Sequence, residues 1–169
     1  MKKTTIQLTL SVALAALLCA PFFASAGDKT VIGSISIPSL NAKGTIVETS
    51  TITGLGADLW HRGPGEPGSD IYQNVVLAGH RTVKLSKQVP FYNLPLMKKG
   101  DQVVLNWKGE TYTYEVYEIK IVTPADISIE FNTNEPTLTM YTCVYNFNAK
   151  NRLMVRARPV NNDSQASTQ

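Results

Sequence analysis

Cys143 and Arg152 stand nine residues apart, at the inner ends of two strand-like runs in the stretch 136–158, Pro-Thr-Leu-Thr-Met-Tyr-Thr-Cys-Val-Tyr-Asn-Phe-Asn-Ala-Lys-Asn-Arg-Leu-Met-Val-Arg-Ala-Arg. A short polar loop joins the runs and favours side-by-side pairing, which sets a thiol opposite a guanidinium. A thiol attacks a carbonyl as thiolate, and with a pKa near 8.5 only about 3% is ionised at neutral pH. Cationic neighbours can raise that fraction, and a guanidinium can also bond the oxyanion that forms. Arg156 and Arg158 share a face with Arg152, so alternation alone leaves three candidates for that role. A lone cysteine without such neighbours is more often a small buried hydrophobe.

A proton shuttle would have to be one of two histidines. His80 ends the run Asn74–His80, which is apolar at 75–78 like a strand buried on both faces. His61 opens 61–70, a stretch with three Gly and two Pro that reads as a loop. Taken singly, His80 could be a surface histidine at a strand end. Arg81 follows it and would point to the opposite face, as a structural residue does.

Three motifs together resemble the signature of sortases, cysteine transpeptidases that attach secreted proteins to cell-surface acceptors. Thr139-Met140-Tyr141-Thr142-Cys143 is similar to the family's Thr-Leu-X-Thr-Cys, with Met at the Leu position, and Arg152-Leu153-Met154-Val155 is similar to the start of its last strand. Val75-Val76-Leu77-Ala78-Gly79-His80-Arg81-Thr82 is similar to the block with its catalytic histidine. The resemblance implies Cys143 as nucleophile, His80 as proton shuttle and Arg152 as the oxyanion and substrate-backbone ligand. It implies further that the connection Pro124–Pro136 shapes the substrate pocket, so that Ile127 and Ile129, with Thr142 beside the nucleophile, contact the peptide. His61 would be a secondary active-site residue or a loop contact. The expected substrate is a secreted or surface protein with a Leu-Pro-X-Thr-Gly-like sorting signal, and the acceptor an envelope amine. An Asp-Pro-aromatic lid, as in pilin-polymerising sortases, is not found, which favours a housekeeping or single-substrate type. Two rival readings are an exported cysteine hydrolase without transfer and a non-catalytic exported β-barrel binding module.

The termini set the compartment. Lys2 and Lys3 precede an apolar run from about Leu8 to Phe23, and Ala24-Ser25-Ala26 has the small-X-small pattern of a signal peptidase site. Residues 1–26 therefore read as a cleaved leader, with a retained anchor as the competing reading. Export to the periplasmic or extracytoplasmic side follows in either case. The other cysteine, Cys19, lies in that leader, leaving Cys143 as an unpaired thiol in an oxidising compartment. The chain has 16 basic and 13 acidic residues, for a net charge of +3, and loss of Lys2 and Lys3 lowers this to +1. That gives a nucleic-acid partner no electrostatic support. Two histidines, one mature cysteine and no clustered carboxylates fall short of a metal-ligand set. No cofactor is expected, and no residue pattern carries over the calcium dependence of some sortases.

With 169 residues, 43% of them hydrophobic, the chain suits one domain with a real core. After a linker at 27–31, strands are expected at Val31–Pro38, Gly44–Glu48, Asn74–His80, Gln102–Trp107, Thr111–Val122, Ile127–Phe131 and the two runs around Cys143 and Arg152. Thr53–Trp60 and Phe91–Met97 read as helical turns, and Lys108-Gly109 as a hairpin turn. In Thr111–Val122 the apolar phase flips between Tyr112, Tyr114, Val116 and Tyr117, Ile119, Ile121, so a β-bulge is expected near Val116. Residues 161–169 offer nothing to bury and read as a disordered tail. About eight short strands with little helix suggest a closed β-barrel over 32–160. The eight-stranded sortase barrel agrees with that reading.

Overall fold

The computed structural model describes residues 29–52, 54–83, 88–144 and 151–160. The expected leader, residues 27 and 28 of the linker, the loop 145–150 and the tail 161–169 lie outside the described residues. Eight strands follow in order: β1 (Thr30–Ile37), β2 (Ala42–Glu48), β3 (Leu59–Arg62), β4 (Asn74–Gly79), β5 (Gln102–Trp107), β6 (Glu110–Val122), β7 (Thr137–Cys143) and β8 (Arg152–Pro159). They close into a barrel in the order β1-β2-β3-β4-β7-β8-β6-β5, with β5 back against β1. Closure gives each of the eight described strands a neighbour on both sides.

Alternation decides which side chains fill the interior. Ile35 and Ile37 of β1, Leu59 of β3, Val75 and Leu77 of β4, Val103 and Leu105 of β5, Leu138 and Met140 of β7, and Val155 and Ala157 of β8 belong to one buried cluster. Each large aliphatic side chain buried there contributes about 1.5–3 kcal/mol. A second, smaller cluster of Val122, Ile129 and Met154, with Tyr141 packed against it, lies on the outside of the sheet.

The bulge falls where the phase change placed it, since the pairing of β6 with β8 shifts between Val116 and Glu118. Tyr117 is the extra residue, and Ile119 then packs against the interior. Ile121, expected in step with Ile119, is instead 57% exposed. The Lys108-Gly109 turn holds, both residues having positive φ (50° and 92°), as a tight turn matched to strand twist requires.

Two expectations are corrected. Leu59–Arg62 is a strand rather than a helical turn running into a loop: it pairs parallel to β2 and antiparallel to β4. Four residues beside a Gly/Pro-rich segment are too few to display an alternation. Ile127–Phe131, expected as a strand, contains instead the 3₁₀ turn Ile127–Glu130. The Asp126 carboxylate accepts from the Ser128 amide at 3.2 Å and starts that turn, and no neighbouring strand pairs with it. The count of eight therefore holds with one member exchanged. β1 begins at Thr30, one residue before the expected Val31.

Candidate active site

Two parallel strands and one antiparallel strand meet at one rim of the barrel. β4 runs parallel to β7 with Ala78 opposite Tyr141, so two residues further along the chains reach His80 and Cys143. β8 is antiparallel to β7 and starts at that same rim, with Arg152 directly opposite Cys143. Parallel strands end at the same edge whereas antiparallel ones exchange ends, and this brings three distant side chains together. The Thr142 hydroxyl donates to the Gly79 carbonyl at 2.8 Å and ties the two strand ends. Gly79 itself must lack a side chain, because a Cβ there would lie 2.6 Å from both Leu59 and Phe91 in the interior.

Leu138 and Met140 point inward, so alternation puts Tyr141 and Cys143 on the outer face. A cleft of about 530 Å³ opens over that face, lined by His80, Thr142, Cys143 and Arg152 together with Trp60, Arg62, Ala78, Asp126, Ile127, Ile129, Glu130 and Tyr141. Ile52 and Leu55 form part of its lining from the β2–β3 connection. All six residues singled out from the sequence thus border one cleft, but they present themselves differently. Ile127 is 63% exposed, while Ile129 is only 6% exposed and rooted against Val122 and Met154. Thr142 is buried, with its hydroxyl engaged by Gly79.

The three arginines of β8 separate by their partners. Arg156 lies 3.8 Å from Glu118 and Arg158 3.5 Å from Glu115, each across the β6–β8 pair. Arg152 forms no ion pair among the described residues and donates only a long 3.4 Å bond to its neighbour Asn151. Arg152 borders the cleft.

Four cleft residues that form one network, Trp60, Arg62, Glu130 and Tyr141, were not singled out from the sequence. Arg62 donates to both carboxylate oxygens of Glu130, from Nε at 3.2 Å and Nη2 at 3.0 Å, and lies 4.2 Å over the Trp60 ring. The Tyr141 hydroxyl donates to the same carboxylate. Burial disfavours the Glu130 anion, yet the bonds from Arg62 and Tyr141 with the charge of Arg62 outweigh it and hold the carboxyl below its usual range. Burial and the Glu130 bond push the Tyr141 phenol up, and the Glu130 bond raises Arg62. The partners are 68 residues apart, and no local pattern announces such a pair.

His61 lies in β3 and contacts the loop that follows it. It is buried at 7% exposure, donates from Nε2 to the Gly65 carbonyl at 2.7 Å, and meets Trp107 edge-on at 4.8 Å. Arg81 places its guanidinium 5.4 Å over the Tyr92 ring, a packing role. Among the described residues no group of three or more His, Cys, Asp or Glu is placed to hold a metal ion, and no helix is long and apolar enough to cross a membrane.

Comparison with known proteins agrees with this fold. The Sortase domain family model matches residues 35–160. The chain is 31% identical over 125 residues to Sortase A of Bacillus anthracis, covering 72% of this chain and 56% of the relative. It is also 31% identical over 136 residues to Sortase D of Bacillus subtilis, covering 76% and 63%. It therefore spans little more than half the length of the first of these relatives. Among solved structures, Sortase A from Corynebacterium diphtheriae superposes with a TM-score of 0.69 at 30% identity, over 82% of this chain and 64% of that one. Listeria monocytogenes sortase A superposes with a TM-score of 0.68 at 26% identity, over 77% and 87%. With a family model spanning most of the barrel and the same fold in its structural neighbours, the chain belongs to the sortase family.

Proposed function

We propose that this protein is an exported cysteine transpeptidase that cleaves a Leu-Pro-X-Thr-Gly-like sorting signal between Thr and Gly and transfers the threonyl group to an amine of the cell envelope. The observation that carries the reading is the meeting of His80, Cys143 and Arg152 on one cleft of a sortase barrel. The Cys143 thiolate adds to the threonyl carbonyl, and the C=O electron pair moves onto oxygen. Arg152, opposite Cys143 and without a carboxylate partner among the described residues, donates to that oxyanion. Collapse breaks the C–N bond, and His80 gives its proton to the departing glycyl amine, leaving a thioester on Cys143. An incoming amine then loses a proton to His80, adds to the thioester carbonyl and expels the thiolate. No cofactor enters either half.

Export rests on the leader-like residues 1–26, and the catalytic unit is the barrel over 32–160. Mass spectrometry of Cys143 after mixing with a Leu-Pro-X-Thr-Gly peptide tests the reading. The expected result is an adduct on Cys143 that an added amine converts into a ligated peptide. An adduct released only to water would identify a hydrolase. A folded protein whose thiol neither acylates nor reacts with iodoacetamide would be a binding module.

A further inference from the structure

The wall of the cleft is a loop, yet it is bolted to the barrel at defined points. Asn74, at the start of β4, donates from its amide to the Ile129 carbonyl at 3.1 Å and the Phe131 carbonyl at 2.7 Å. Its own carbonyl accepts from the Thr139 hydroxyl at 2.7 Å. These bonds anchor the C-terminal end of the 3₁₀ turn, on either side of Glu130. That same end is held a second time through the Glu130 side chain, gripped by Arg62 of β3 and Tyr141 of β7. Tyr141 is two residues before Cys143 on the same face, about 6.5 Å along the strand. The carboxylate thus fixes the turn over the floor of the groove, one side-chain step from the nucleophile. The Trp60 ring beneath Arg62 limits where the guanidinium can go.

We propose that Arg62, Glu130 and Tyr141 are positioning residues that set the width of the groove and hold Ile127 over bound peptide. This rests on the peptide-groove reading above. None of the three need touch the reacting atoms, so their contribution should fall on peptide binding rather than on the chemical step.

The test is a double-mutant cycle with Arg62→Ala, Glu130→Gln and the two combined, with Tyr141→Phe as a milder member. Acylation of Cys143 by a Leu-Pro-X-Thr-Gly peptide gives KM and kcat, iodoacetamide alkylation gives the reactivity of the thiol, and hydrogen exchange reports the Ser128 and Phe131 amides. Each of Arg62→Ala and Glu130→Gln should raise KM about tenfold, and the double variant should lose no more than the worse single one. Exchange at Ser128 and Phe131 should quicken in the same variants, while kcat and alkylation change by less than about twofold. A melting temperature that falls with KM unchanged would overturn the proposal, as would additive losses in the double variant. If wild-type Cys143 alkylates but never acylates, the peptide reading fails instead. Exchange then judges the clamp, and unchanged exchange in Arg62→Ala overturns it.

Discussion

Cys143 and Arg152 are direct cross-strand partners, the last residue of β7 facing the first residue of β8. Arg156 faces Thr139 instead, four pairs further from the rim, and is drawn towards Glu118. Each two-residue step moves a side chain about 6.5 Å along a strand, so one arginine of the three can serve a carbonyl attacked by Cys143. Arg152→Ala and Arg152→Lys should each lose about 10²–10³ in single-turnover acylation, the usual cost of an oxyanion donor, because Lys keeps the charge but not the planar fork. Arg156→Ala and Arg158→Ala should stay within about threefold of wild type, since a partly exposed ion pair contributes little. A hundredfold loss in either would show that the oxyanion is held elsewhere.

His80 reaches the rim through the parallel pairing of β4 with β7. His80→Ala should leave Cys143 open to iodoacetamide while slowing both acylation and thioester release, by about 10²–10⁴ for lost proton transfer. A variant keeping more than about a tenth of wild-type turnover would exclude His80 as the shuttle. Cys143→Ala should abolish both steps while the barrel keeps its melting temperature.

Ile127 and Ile129 share the cleft but differ in burial, and their variants should part accordingly. Ile127→Ala should alter the preference among Leu-Pro-X-Thr-Gly peptides and leave the melting temperature in place. Ile129→Ala should cost about 2–5 kcal/mol of stability, because it opens a cavity against Val122 and Met154. Denaturant unfolding of both variants, beside competition between peptides, separates the two effects.

Glu130 ties stability to pH. Its carboxyl is held below the usual range in the fold, so the unfolded chain binds its proton more readily. The resulting stabilisation is fully present above the unfolded value, about 4.3, and is lost as pH falls through the lower folded value. Glu130→Gln should therefore remove a constant increment above about pH 5, and the difference from wild type should shrink in more acid solution. Chemical unfolding of both proteins from pH 7 down to pH 3 measures this. A difference that grows on acidification would contradict it.

Much of this arrangement is written locally. The Cys143 and Arg152 runs, their facing ends, the alternation of Leu153, Val155 and Ala157, and the bulge near Val116 follow from side-chain period and a short loop. Each of those signals lies within a few residues, where a strand's period of two is unambiguous. Tertiary structure decided the rest. β3 became a strand only because β2 and β4 flank it, and Ile127–Glu130 became a turn because no strand was left to pair with it. The parallel pairing that carries His80 to Cys143, secured by a bond between Thr142 and Gly79 63 residues apart, is a product of barrel closure. The same closure assigned Glu118 and Glu115 to Arg156 and Arg158, left Arg152 at the cleft, and set Arg62 against Glu130. Charge pairing depends on distance in space, and residues far apart in the chain acquire that distance only when the sheet closes.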